Sequence, residues 1–172
     1  TTLIKNEKAF SETIDQIVQK TKKYDFNKIA AIESRGFLFA SAISYILKKP
    51  FIMLRKKNKL PAEVHSVDFE LEYGTATIEV HKDSINEKDN VLIIDDLIAT
   101  GGTAEAAAKL IKISKGNVAG FIFVINLFDL GGCDQLLKQN YKIENLIEFP
   151  GHWNRAYTLI NLLIFSTSFS LL

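Results

Sequence analysis

The run Val91-Leu-Ile-Ile-Asp-Asp-Leu-Ile-Ala-Thr-Gly-Gly-Thr103 constrains the fold of this chain more than any other segment. Val91 to Ile94 is uniformly apolar, the pattern of a strand buried on both faces. Asp95 and Asp96 follow it, then a short Ala99-Thr-Gly-Gly-Thr103 turn, and Ala104 to Ile113 reads as a helix. A turn that opens a helix presents free N–H groups and the positive end of the helix dipole, which together favour a phosphate. Gly101 and Gly102 permit close backbone approach and positive φ. Thr100 and Thr103 add hydroxyl donors, and the two carboxylates can accept from sugar hydroxyls. A strand whose acidic end merely starts a loop is the plainer alternative. Two carboxylates beside an anion-binding turn are costly unless used, so the segment suits a phosphorylated sugar. It contains neither the Gly-x-x-x-x-Gly-Lys loop nor the Gly-x-Gly-x-x-Gly dinucleotide fingerprint.

Around this unit the chain alternates. Residues 6–22 carry Phe10, Ile14, Ile17 and Val18 at helical spacing. Lys28 to Ile32 reads as a strand, Gly36 to Leu47 as a helix, and Phe51 to Leu54 as the next strand after Pro50. Residues 55–64 are basic and polar around Pro61, the composition of a mobile loop. Val64 to Glu72 and Thr75 to Val80 suggest a hairpin about Tyr73-Gly74. Val118 to Leu127 and Ile143 to Phe149 read as strands, with helical segments between Val91 to Ile94 and these runs, including Cys133 to Gln139. The order predicts an α/β fold with a mostly parallel sheet flanked by helices. Ligands in such sheets bind at the carboxyl ends of the strands, where Asp95 to Thr103 falls.

Other segments carry chemistry. Glu33-Ser-Arg-Gly-Phe37 lies between a strand and a helix, a second anion-ready turn in which Arg35 offers a fork of donors to a diphosphate. Taken alone it reads as an ordinary turn with a surface arginine. Arg55-Lys-Lys-Asn-Lys-Leu-Pro61 is a dense cationic run without interleaved aromatics. A small polyanion is a simpler partner for it than nucleic acid. Glu70-Leu-Glu-Tyr-Gly74 falls at the hairpin tip, where Glu72 could serve in proton transfer and Tyr73 could hydrogen-bond a phosphate. A plain polar turn is the simpler reading of that motif in isolation. His65, His81 and His152 have no metal-ligand spacing with Cys133 and read as structural or surface residues.

Bulk properties narrow the classes. A chain of 172 residues suits one domain. A net charge of +1 gives no global attraction to nucleic acid or an acidic membrane. The single cysteine rules out an internal disulfide and fits a reducing compartment. No cationic segment followed by an apolar core opens the chain, so a cytoplasmic location is expected.

In order and spacing, Glu33-Ser-Arg-Gly-Phe37, Arg55 to Pro61, Leu71-Glu-Tyr-Gly74 and Val91 to Thr103 resemble the type I phosphoribosyltransferases, and within them the adenine branch. The resemblance implies a type I phosphoribosyltransferase-like core with a flexible β-hairpin lid. It implies transfer of the phosphoribosyl group of 5-phosphoribosyl 1-pyrophosphate to adenine, giving AMP and pyrophosphate, a step of purine salvage. By the same resemblance Ala99, Thr100, Gly101, Gly102 and Thr103 bind the 5′-phosphate, and Asp95 and Asp96 hold the ribose hydroxyls. Ser34 and Arg35 form the pyrophosphate turn, with a strained or cis peptide between them. Arg55 and Lys59 reach pyrophosphate, Arg55 across a homodimer interface. Glu72, Tyr73 and Arg35 are the implied catalytic residues. The implied cofactor is Mg²⁺, carried by the substrate pyrophosphate rather than by a protein cage. A base-binding segment on the N-terminal side of this chain is also implied. The rival reading is a non-catalytic sensor of the same ligand, against which the near-zero net charge argues.

The resemblance covers residues 1–152, the expected core. Residues 153–172 form an apolar tail with no charge after Arg155 and the run Leu159-Ile-Asn-Leu-Leu-Ile-Phe165. Its uncharged stretch is shorter than the ~20 residues that span a bilayer. A packed extra segment is therefore expected over an anchor, and no membrane or nucleic-acid partner is expected.

Overall fold

A computed structural model describes residues 2–71 and 74–151. A short helix α1 (Thr2–Lys5) precedes α2 (Glu7–Thr21). Asn6 caps α2, its side chain accepting from the Ala9 N–H at 2.9 Å. Thr13, Ile14, Ile17 and Thr21 form the buried stripe of α2, as helical periodicity requires. Then come β1 (Lys28–Ile32), α3 (Gly36–Leu47), β2 (Phe51–Lys56), β3 (Val64–Leu71) and β4 (Gly74–His81). The second half is β5 (Asn90–Ile98), α4 (Gly102–Ile113), β6 (Asn117–Leu127), a 3-10 turn (Phe128–Leu130), α5 (Gly132–Lys138) and β7 (Ile143–Phe149).

The strands make a single sheet in the order β3-β4-β2-β1-β5-β6-β7. Strands β2, β1, β5, β6 and β7 run parallel; α3, α4 and α5 make the β1–β2, β5–β6 and β6–β7 connections, and the β3–β4 hairpin lies between β2 and β5 along the chain. The hairpin β3–β4 joins antiparallel at one end, with Arg55 opposite Glu79 and Lys56 opposite Ile78. The expectation of a mostly parallel, helix-flanked sheet with a hairpin holds. One apolar layer joins Ile93, Phe121 and Phe123 to Ala107, Leu110 and Ile111 of α4. The other joins Ile29, Leu92, Ile94 and Ile122 to Ile14 and Ile17 of α2 and Phe39 and Ile43 of α3. Both faces of β5 are thus covered, which is why Val91 to Ile94 has no exposed surface.

Three boundaries differ from the sequence expectation by two residues or more. Strand β5 continues through Asp95 and Asp96 to Ile98, because the long neighbour β6 supplies parallel partners: Asp95 faces Phe123, and Leu97 faces Ile125. Arg55 lies within β2 rather than in a loop, because β4 pairs with β2 at Arg55 and Lys56. Helix α4 begins at Gly102, inside the expected turn. The tail, residues 153–172, lies outside the described residues.

Candidate active site

At the carboxyl ends of β1 and β5 a cleft of about 430 Å³ opens, large enough for a small-molecule ligand. Glu33, Ser34 and Arg35 line one wall, and Ala99 to Thr103 line another. Asp95 and Asp96 lie between them, with Lys56 and Phe123 completing the boundary. The two anion-ready turns are far apart in sequence. They meet because β1 and β5 are adjacent parallel strands, with Ala31 beside Ile94.

The turn after β5 has the geometry an anion needs. Gly101 takes the left-handed conformation, with φ of 93°. A residue with a Cβ is strained there. Gly102 shows no such φ and simply opens the helix, so the conformational demand falls on Gly101 alone. The hairpin reaches this turn: a Cβ built on Gly102 would stand 3.3 Å from the Glu70 carbonyl oxygen. The end of β3 at Glu70 is therefore beside the helix start. Glu72 and Tyr73, the expected catalytic pair at that tip, lie outside the described residues.

The carboxylates differ in environment. Asp96 accepts an ion pair from Arg35, Nε to Oδ2, at 2.6 Å. Asp95 accepts from the Asp96 N–H at 2.9 Å. Burial, and then the neighbouring Asp96 carboxylate, push the Asp95 carboxyl up to about 8. Gly36 explains how α3 packs so near: a Cβ there would lie 2.6 Å from Asp95 Oδ1 and 3.2 Å from the Ile94 carbonyl oxygen. Gly36→Ala is accordingly expected to destabilise the fold by about 1–3 kcal/mol through overpacking. It should also weaken sugar binding. Thermal denaturation and calorimetry on the same protein would check both, and an unchanged melting temperature would contradict the packing argument.

Some expected site residues are arranged differently. The cis peptide bond joins Glu33 to Ser34, one bond earlier than Ser34–Arg35. Arg55 and Lys59 do not line the cleft. Arg55 is turned to Glu33, with Nε 3.3 Å from Oε2, and to the Lys59 carbonyl, with Nη1 at 3.2 Å. Glu33 also accepts from the Lys56 N–H at 2.9 Å. That N–H first, and the Arg55 guanidinium next, hold the Glu33 carboxyl below the ordinary carboxylate range against the opposing effect of burial. Sequence reasoning missed Glu33 as the anchor of the cationic run, and it missed Lys56 as a lining residue. The signal was present, since Glu33 opens the strand-to-helix motif and Lys56 lies inside the basic run.

The phosphoribosyl transferase domain family model matches residues 2–154. A relative from Pelagibacter ubique, an adenine phosphoribosyltransferase, is 73% identical over 152 residues, covering 88% of this chain and 87% of its own length. The chain belongs to the adenine phosphoribosyltransferase family. Solved structures of the adenine phosphoribosyltransferase family share the fold. The enzyme from Thermoanaerobacter pseudethanolicus superimposes with a TM-score of 0.82 at 44% identity, covering 86% of this chain and 84% of that one. The enzyme from Saccharomyces cerevisiae, solved with an imino-altritol bisphosphate and adenine, gives a TM-score of 0.76 at 34% identity, with 84% and 82% covered.

Proposed function

We propose that this chain transfers the phosphoribosyl group of 5-phosphoribosyl 1-pyrophosphate to adenine, releasing AMP and pyrophosphate in purine salvage. The observation that carries the reading is the cleft itself, in which Asp95 and Asp96 stand between two anion-binding turns. That spacing suits a sugar with a phosphate at one end and a diphosphate at the other. Ala99 to Thr103 take the 5′-phosphate, Asp95 and Asp96 the ribose hydroxyls, and Ser34 and Arg35 the pyrophosphate. Lys56 adds positive charge on the same wall. Arg55 and Lys59 act at the diphosphate after Arg55 leaves Glu33.

The chemistry follows from charge. Adenine N9 forms a bond to ribose C1 as the C1–oxygen bond to pyrophosphate breaks, and the base loses a proton. Positive charge builds on the sugar while negative charge builds on the leaving diphosphate. Arg35 and Lys56 stabilise the latter. Closure of the hairpin over the turn excludes water, which would otherwise hydrolyse the activated sugar. Among the described residues no group of three or more His, Cys, Asp or Glu side chains could hold a metal ion. The donor set of Asp95 and Asp96 is all oxygen, which suits a hard cation held mainly by the substrate's own diphosphate. Bound Mg²⁺ supplies charge neutralisation at that leaving group.

Glu72 is proposed to assist proton transfer or to stabilise positive charge at the base and sugar. Glu72→Gln should lower kcat by about 10²–10⁴-fold. Binding of the phosphorylated sugar should stay nearly intact, because other residues hold that substrate. If kcat is unchanged while the Kd for phosphoribosyl pyrophosphate rises, Glu72 closes the lid and is not catalytic.

A homodimer is also proposed. Leu38, Tyr45 and Ile46 of α3, with Met53 of β2, are exposed apolar residues on this chain. A second copy covering them by two-fold symmetry is the ordinary solution. Light scattering at micromolar concentration that finds only a particle of one chain's mass would contradict it. Among the described residues no helix is long and apolar enough to cross a membrane. A cytoplasmic enzyme is proposed on the single cysteine, which fits a reducing compartment. The deciding experiment is a spectrophotometric assay of nucleotide formation with adenine, hypoxanthine and guanine side by side. AMP formation from adenine alone is expected, and failure with all three bases would overturn the reading.

A further inference from the structure

After β6 the backbone passes through the 3-10 turn and enters α5 at Gly132, behind the wall formed by Ala99 to Thr103. Gly132 is buried. Its N–H donates to the Ala99 carbonyl oxygen at 3.0 Å. No side chain fits at this point. A Cβ on Gly132 would lie 2.7 Å from the Gly101 nitrogen and 2.8 Å from Ile98 Cγ1, and closer still to the Ala99 oxygen. From the opposite side, a Cβ on Gly101 would meet the Gly132 Cα and carbonyl oxygen, both at 3.1 Å. The two backbone segments therefore touch directly.

That contact orients the turn. The C=O and N–H of a planar trans peptide point in opposite directions. With the Ala99 oxygen bound to Gly132, the Thr100 N–H points away from Gly132, and Thr100 is a lining residue of the cleft. Two residues on, the Gly101 carbonyl oxygen is also occupied, accepting from the Glu105 N–H at 2.9 Å at the start of α4. The Ala99 and Gly101 carbonyl oxygens, which would repel a phosphate, are thus held by backbone donors.

We propose that Gly132 is a positioning residue for the phosphate turn: its N–H and its missing side chain fix the Ala99–Thr100 peptide plane so that donors, not acceptors, face the 5′-phosphate. This rests on the reading that Ala99 to Thr103 hold that phosphate. The neighbouring Gly131 has no such role. It takes a φ of 75°, and a Cβ there meets nothing within 4 Å.

The test measures Kd for ribose 5-phosphate and for pyrophosphate with Mg²⁺ separately, by calorimetry on the full chain, beside the melting temperature. Gly132→Ala should weaken ribose 5-phosphate about 10–100-fold, the scale of overpacking against a rigid backbone. Pyrophosphate, held at Ser34 and Arg35, should bind within about twofold of the parent, because that turn lies on a different strand. Gly131→Ala should lower the melting temperature through backbone strain and leave both affinities unchanged. If Gly132→Ala does not fold, an amide-to-ester replacement at Gly132 removes the N–H without adding bulk. It should weaken ribose 5-phosphate about 3–10-fold, the scale of one net hydrogen bond. Parent-like ribose 5-phosphate binding in either Gly132 variant would overturn the proposal. So would a parallel loss of both ligands, or an equal loss in Gly131→Ala. If the parent itself fails to bind ribose 5-phosphate, the assignment of the phosphate turn falls instead, and that result needs no variant.

Discussion

Replacing Gly102 with valine is expected to abolish binding of phosphoribosyl pyrophosphate while leaving the chain folded. Gly102 opens α4 without a positive φ, so the backbone tolerates a side chain. Space is the difficulty. A Cβ would already stand 3.3 Å from the Glu70 carbonyl oxygen on the hairpin. The two further methyl groups of valine must crowd either that hairpin or the approach to the turn's N–H groups. Losing two or more hydrogen bonds to a charged phosphate, each worth about 1.5–3 kcal/mol, predicts at least about a hundredfold weaker binding. Calorimetry with phosphoribosyl pyrophosphate reads this directly. Unchanged affinity would remove the turn from the site.

The double variant Asp95→Asn, Asp96→Asn should lose sugar affinity by about 10–100-fold, since amides keep the shape but not the charge-assisted bond of the Asp96 carboxylate. The structure adds a second expectation, about pH. The folded-state pKa of Asp95 is raised to about 8, burial being the first cause and Asp96 the second. A carboxyl raised on folding contributes stability fully below its unfolded pKa and loses that contribution as pH rises through the folded value. The parent should therefore lose stability between about pH 4 and pH 8 at this position. Asparagine does not titrate, so the melting temperature of the variant relative to the parent should climb across that range. A flat difference from pH 5 to pH 9 would mean that Asp95 is charged in the folded chain throughout. Kinetics matching the parent would make both carboxylates structural.

Much of this site was legible because its signals are local. The apolar run Val91 to Ile94, the acidic pair and the glycine turn are contiguous, and each obeys a short-range rule. The hairpin was legible for the same reason, since β3 and β4 alternate about a single turn. The unread parts depend on partners distant in the chain. Nothing around Asp95 says that the strand continues, because the residues that extend it, Phe123 and Ile125, sit on β6. Arg55 reads as a free cation in a basic run. Only the fold brings it to Glu33 at the end of β1. Gly131 and Gly132 look alike as a pair, yet only one lies against another backbone. Gly36 could be read as an ordinary helix-opening glycine until α3 is seen resting on Asp95.

The ion pair between Arg35 and Asp96 has a consequence for selectivity among anions. In the free chain this arginine is not an open charge, since Asp96 Oδ2 lies 2.6 Å from its Nε. An incoming anion that takes the Arg35 Nε–H enters an exchange of counter-ions with Asp96, while the Nη donors of the same exposed guanidinium stay open to it. A lone inorganic phosphate or chloride offers Arg35 a new partner but leaves Asp96 with none. A ligand carrying a diphosphate together with vicinal hydroxyls offers replacements to both sides at once. A molecule that presents both groups is therefore expected to compete better for this pair than the simple anions of its surroundings, with no steric barrier involved.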